Sequence, residues 1–185
     1  MRATVGVLAL QGDFEAHAKL LAGLGAAAVE VRVPGQLERL DALVIPGGES
    51  TVMSLGIERE GLAAPLRELA AAGLPVLGTC AGMIMLDREH LGVLDIRAKR
   101  NAFGRQLRSF ETNLDVRGIG GQAVRAVFIR APWVEEYGPA VEVMATVAGH
   151  PVAVRQGNVI AVAFHPELAS EPRLHRLLLR GEQSS

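Results

Sequence analysis

Cys80 is the sole cysteine of the chain, and it stands between two glycines in Gly78-Thr79-Cys80-Ala81-Gly82. The apolar run Leu74-Pro75-Val76-Leu77 before it predicts a short buried strand, and Met83-Ile84-Met85-Leu86 after it predicts the start of a packed helix. A nucleophile on such a strand-to-helix turn needs small neighbours, because the backbone bends sharply there and the reacting atom must stay open to substrate. The helix N-terminus favours thiolate over thiol, and the amide of Ala81 points toward a developing oxyanion. A lone cysteine is also often just a small buried hydrophobe. A base within reach separates the two readings. His165-Pro166-Glu167 follows an apolar run ending at Phe164, so it too falls at the end of a buried strand. Alone it reads as a turn with a charged residue; with Cys80 it completes a Cys80/His165/Glu167 triad of nucleophile, base and orienting acid. His17 and His175 fall within helical patterns and His90 and His150 in polar, turn-like contexts, so all four read as ordinary surface or half-buried residues. One cysteine and scattered histidines offer no metal ligand set.

The elements that must position these groups alternate along the first half. Thr4 to Leu10 is apolar and β-branched, as a strand buried on both faces should be. Asp13 can cap a helix to about Leu24, with Phe14, Ala18, Leu21 and Leu24 on one face and Gly25 past its end. Val29 to Val33 and Leu43 to Ile45 read as strands, Ser50 or Thr51 as a helix start, and Leu62 to Ala72 as a further helix. This spacing predicts an α/β fold: an open, mostly parallel sheet flanked by helices, flavodoxin-like, with its ligand site at the carboxyl ends of the strands. Asp87 to Gly121 reads as irregular. The runs Ala123–Ile129, Val141–Val147, Val152–Arg155 and Val159–Phe164 then add antiparallel strands to the sheet, the last two joined by a hairpin at Gln156-Gly157-Asn158. Pro172 opens a last helix with Leu174, Leu177 and Leu178 inward, and the tail after Gly181 is expected to fray.

Composition limits the partners. A net charge of −1 over 185 residues, with 19 scattered basic residues, gives no reason to expect nucleic acid or an anionic membrane. A single cysteine precludes an internal disulfide and fits a reducing compartment. No apolar run approaches a membrane span, and Val5 to Leu10 is too short for a signal-peptide core, so a cytoplasmic location is expected. The length suits one domain over 1–185.

The order nucleophile, histidine, then acid two residues on differs from that of the α/β-hydrolases, which place the acid between the other two. It resembles the class I, triad glutamine amidotransferases. Six blocks in order along the chain narrow the resemblance to the glutaminase subunits of pyridoxal 5′-phosphate synthase. They are Leu8-Ala9-Leu10-Gln11-Gly12, Pro46-Gly47-Gly48-Glu49-Ser50-Thr51, Gly78-Thr79-Cys80-Ala81-Gly82, Arg100-Asn101 with Phe103-Gly104-Arg105-Gln106, Phe128-Ile129-Arg130-Ala131-Pro132, and Phe164-His165-Pro166-Glu167-Leu168. The stretch after Leu86 is short for that family, a departure that touches no motif.

The resemblance implies hydrolysis of L-glutamine through a Cys80 thioester, without a cofactor. It also implies transfer of the ammonia to a (β/α)₈-barrel synthase subunit held as a hetero-oligomer. The implied substrate contacts are Gly48, Glu49, Ser50, Arg100, Ile129 and Arg130, with Gly48 and Ala81 as oxyanion donors and Gln11 at the interface or in activation. Each has a plainer reading as well: Gly47-Gly48 as a turn, Glu49 as an acid offsetting a helix dipole, and either arginine as a surface ion pair. The competing functions are a related cysteine amidohydrolase, a subunit serving a different acceptor, or an inactive regulatory chain. Related peptidase-like proteins place histidine directly after the nucleophile, where this chain has Ala81.

Overall fold

A computed structural model describes residues 2–181 of the chain, so the expected frayed tail lies outside the described residues. The elements in order are β1 (Thr4–Leu8), α1 (Phe14–Gly23), β2 (Ala27–Val31), β3 (Ala42–Ile45), α2 (Ser50–Arg59), α3 (Ala63–Ala71), β4 (Val76–Thr79) and α4 (Ala81–Leu86). There follow β5 (Ile96–Lys99), β6 (Ser109–Leu114), β7 (Val124–Ile129), β8 (Trp133–Tyr137), β9 (Glu142–Val147), β10 (His150–Gln156), β11 (Val159–Val162) and α5 (Arg173–Arg180).

The main sheet runs β2-β1-β3-β4-β11-β10-β9; the first five strands are mutually parallel, and β10 and β9 extend the sheet antiparallel. Strands β3, β4 and β11 are buried at every residue, which matches sequences that are apolar throughout except for Thr79 at the end of β4. Because the five strands point the same way, the residues after β1, β3, β4 and β11 meet at one edge. Those residues are Gln11, Gly47-Gly48, Cys80 and His165.

Four expectations shift in detail. The second strand ends at Val31 rather than Val33, because the Gln36 side-chain oxygen accepts hydrogen bonds from the amides of Arg32 (2.7 Å) and Val33 (3.1 Å) and turns the chain away. Asp13 precedes α1 without capping it; its carboxylate lies toward His165 instead, with Oδ2 3.7 Å from Nδ1. The stretch 87–121 is not irregular throughout, since it holds β5 and β6. These strands pair with β8 and β7 in two separate antiparallel ribbons, so the 123–129 run does not join the main sheet as expected.

The β6/β7 ribbon matters to the site because it covers it. Phe110 and Phe128 stack at 4.6 Å, Phe103 meets both edge-on, and Phe128 meets Phe164 edge-on at 5.7 Å. Phe164 immediately precedes His165, so this aromatic cluster fixes the end of β7 against the chain segment that carries His165. The terminal helix buries Leu174 and Leu178 as expected and half-buries Leu177.

Candidate active site

Cys80 has φ 50° and ψ −108°, a conformation that a non-glycine residue adopts only when its surroundings impose it. Its amide donates to the Val162 carbonyl at 2.8 Å, its carbonyl accepts from Met83 at 3.0 Å, and α4 starts at once. The flanking glycines allow α4 to approach the sheet closely. A Cβ at Gly82 would lie 1.9 Å from the Ile45 carbonyl oxygen, and one at Gly78 would lie 2.6 Å from Leu86 and 2.8 Å from the Gly82 carbonyl. Cys80 as a residue is 7% exposed, and Sγ donates a long bond of 3.7 Å to the Ile129 carbonyl at the end of β7.

His165 is fixed from both sides. Its backbone amide donates to the Val127 carbonyl at 2.8 Å, and ring Nδ1 donates to Glu167 Oε1 at 2.6 Å. Burial opposes charging this ring, yet the hydrogen bond and negative charge of Cys80, followed by those of Glu167, raise its pKa to about 10. The resting imidazole is therefore held protonated, ready to give up a proton beside Cys80. Gly47 leaves no spare room here: a Cβ on it would come 2.5 Å from His165 Cε1 and 3.3 Å from the Cys80 Cβ.

A cavity of about 350 Å³ opens over these groups and is bounded by Gly48, Glu49, Ser50, Cys80, Ala81, Arg100, Ile129, Arg130 and His165, among others. All the residues implied as substrate contacts or oxyanion donors thus share one space with the thiol. Asp13, Ile84 and Asn101 also line it and were not singled out from the sequence. Gln11 stands just behind: its Oε1 accepts from the Glu49 amide at 2.5 Å, and a Cβ on Gly48 would meet that oxygen at 2.2 Å. The Gly47 carbonyl accepts from the Asp13 amide at 3.3 Å, so in a trans peptide the Gly48 N–H faces the opposite way.

The cavity holds charges of both signs. Glu49 caps α2 by accepting from the amides of Thr51 (3.1 Å) and Val52 (2.8 Å). The Val52 and Thr51 amides, and more weakly Arg100, hold its carboxyl below the usual carboxylate range. Arg100 donates to Ser50, to Thr51 at 2.9 Å and to Glu49 at 3.3 Å. Both readings of Glu49 are thereby compatible, since the cap fixes an anion that also faces the cavity. Arg130, at φ 44°, projects beside the same space.

The other histidines do not all behave as expected. His17 and His175 are completely buried rather than superficial. His17 Nδ1 is 2.8 Å from His175 Nε2, and His17 Nε2 is 3.2 Å from Thr79 Oγ1 and 3.4 Å from Glu167 Oε2. The signal for His17 was present, since it falls three residues after Phe14 and four before Leu21 on the apolar face of α1. Among the described residues Asp13, His165 and Glu167 are the one group of potential metal ligands. A cation there would have to displace the proton shared by His165 and Glu167.

Comparison with known proteins places the chain in a family. The model of the SNO glutamine amidotransferase family matches residues 7–183. A pyridoxal 5′-phosphate synthase subunit PdxT from Frankia alni is 53% identical over 190 aligned positions, covering 98% of this chain and 96% of the relative. The PdxT subunit from Acidothermus cellulolyticus is 55% identical, covering 94% and 91%. A solved structure described as a glutamine amidotransferase superposes with TM-score 0.89 at 47% identity, over 95% of this chain and 97% of that one. PurLQS from Thermotoga maritima, at 17% identity and TM-score 0.73 over 97% and 99%, shares the fold.

Proposed function

We infer that this chain, which belongs to the SNO glutamine amidotransferase family, is the glutaminase subunit of a pyridoxal 5′-phosphate synthase. In this reading it supplies ammonia to a synthase subunit, which accords with relatives named as subunits of pyridoxal 5′-phosphate synthase. The observation that carries this reading is the strained Cys80 turn at the base of a cavity shared with His165, Glu49 and the two arginines.

In the proposed reaction the Glu49 carboxylate receives the α-ammonium of glutamine and Arg130 its carboxylate, with Arg100, itself anchored on Ser50 and Thr51, holding Glu49 in place. Ile129 flanks the substrate side chain at the end of β7. The Cys80 thiolate attacks the amide carbon, and the oxyanion is taken up by the amides of Ala81 and Gly48. His165 gives its proton to the departing nitrogen, the C–N bond breaks, and ammonia leaves a γ-glutamyl thioester on Cys80. Water then gives a proton to His165 and attacks the thioester carbon, releasing glutamate and restoring the thiolate. Glu167 keeps the imidazole oriented throughout.

Ammonia released into neutral water becomes largely protonated and ceases to be a nucleophile. The product is therefore useful only if it passes directly to the partner, a (β/α)₈ barrel in this proposal, with the two chains forming a hetero-oligomer. Gln11 sits where docking could act on the oxyanion loop, because it holds the Glu49 amide next to Gly48. Among the described residues no helix is long and apolar enough to cross a membrane. A single cytoplasmic domain is part of the same proposal.

The test is steady-state glutamate release with the synthase subunit titrated in. Cys80→Ala and Cys80→Ser should abolish turnover while leaving the fold intact. Full activity of Cys80→Ala would remove the triad from consideration. Turnover of another amide in preference to glutamine, or failure of the two chains to associate with glutamine present, would assign the site to a different hydrolase or acceptor.

A further inference from the structure

Three side-chain polar atoms are buried without a hydrogen-bond partner among the described residues, and two of them belong to one row: Glu167 Oε2 and His175 Nδ1. Together with the short contacts they fix the direction of a hydrogen-bond chain. An N–H buried without an acceptor is costlier than a bare lone pair, so the proton of His175 belongs on Nε2 and not on the unpartnered Nδ1. His175 Nε2 then donates to His17 Nδ1 across 2.8 Å. With Nδ1 accepting, the single proton of a neutral His17 must lie on Nε2, which faces Glu167 Oε2 at 3.4 Å and the Thr79 hydroxyl at 3.2 Å. In the opposite tautomer the His175 N–H would point at nothing, and Glu167 Oε2, which makes no hydrogen bond, would lose the N–H that lies 3.4 Å from it. Burial also holds both rings neutral, lowering each below the ordinary histidine value.

We propose that His17 and His175 are positioning residues for this reaction, extending the triad into a row of five: His175, His17, Glu167, His165 and Cys80. His17 presents its N–H to the second oxygen of Glu167 across 3.4 Å, a charge–dipole contact that steadies the carboxylate, and His175 locks His17 in the tautomer that presents it. Glu167 would otherwise be held by His165 alone, and a carboxylate free to rotate would let the imidazole drift from the thiol. The row joins α1 and α5 to the ends of β4 and β11 through buried side chains. The inference rests on the glutaminase reading for its kinetics but not for its tautomers.

The experiment therefore has two arms. Nitrogen-15 NMR of histidine-labelled wild-type protein reads the tautomers without any turnover, and both His17 and His175 should carry their proton on Nε2. A proton on His17 Nδ1 would overturn the proposal, whether or not the chain hydrolyses glutamine. In the second arm glutamine turnover is measured with the synthase subunit saturating. His17→Leu should lower kcat about tenfold to a hundredfold, as expected for removing an N–H that faces a buried charge, with KM little changed. His17→Gln keeps a donor at the same place and should recover most of the loss. His175→Leu should lose less than His17→Leu, and His175→Gln should be close to wild type. A folded His17→Leu protein with unchanged kcat, or one whose only defect is in KM, would overturn the positioning role. Should His17→Leu fail to fold, the Gln substitutions and the wild-type tautomers decide. An inactive wild type would defeat the glutaminase reading alone.

Discussion

Lowering the pH should unfold this protein through the two buried histidines, well before most of its carboxylates are protonated. Burial moves His175 from the ordinary 6.5 to about 4, and His17 is pushed well below 6.5, first by burial and then by the neighbouring His175 and His165. A group whose folded value is depressed binds fewer protons folded than unfolded. Stability is undiminished above pH 6.5 and falls as pH drops from 6.5 toward the folded value. For His175 alone the linkage amounts to about 2 kcal/mol lost between pH 7 and pH 5, rising to about 3 kcal/mol below pH 4. His17 adds to it with the same sign. Glu49, Glu135, Glu136 and Glu171, all held below the usual carboxylate range, stay ionised at pH 5 and contribute little in this window. His165 acts at the other end: its raised value gives stability that is complete below 6.5 and is lost as pH climbs toward about 10. The assay is urea unfolding at pH 7 and pH 5, where a loss of about 2 kcal/mol corresponds to a midpoint lower by roughly 1 M. His175→Leu should flatten the dependence. Equal midpoints for wild type at the two pH values, or a His175→Leu protein as acid-sensitive as wild type, would refute the reasoning.

Further expectations concern the site itself. Replacing Glu167 with Gln should cost at least about tenfold less turnover than replacing His165 with Ala, because the acid orients whereas the histidine carries the proton; equal losses in folded proteins would show a larger role for the acid. Gly47→Ala should place a methyl group against His165 and Cys80 and lower kcat roughly a hundredfold with little change in melting temperature, as displacing a reacting group by about 1 Å does; wild-type turnover would show that the loop yields freely. Arg130→Ala should raise KM for glutamine roughly tenfold or more with kcat less affected, checked by saturation kinetics in the presence of the synthase subunit.

What could be read in the sequence was whatever is encoded locally. Cys80 stood out because its turn needs glycine on both sides at fixed spacing, and a parallel sheet then brings Gln11, Gly48, Cys80 and His165 to one edge without further instruction. His165 and Glu167 lie two residues apart, so their pairing needed only a strand end. Of the ribbons β5/β8 and β6/β7 only β7 was visible in the sequence, because β5, β6 and β8 bury too few of their residues. In β6 only Leu114 is fully buried, and in β8 only Val134, leaving little apolar signal to register as a strand. The partnership of His17 and His175 spans 158 residues and depends on α1 and α5 docking together, which no local pattern reports. Helical spacing does place each on a buried face, His17 beside Leu21 and His175 beside Leu174 and Leu178. A histidine there must either find partners or remain uncharged at a cost in acid stability. Here both hold: the two rings partner each other and Thr79, and His17 stands 3.4 Å from the triad acid. The same burial that weakens the fold below pH 6.5 keeps a neutral donor facing Glu167 at the pH where His165 must hold its proton.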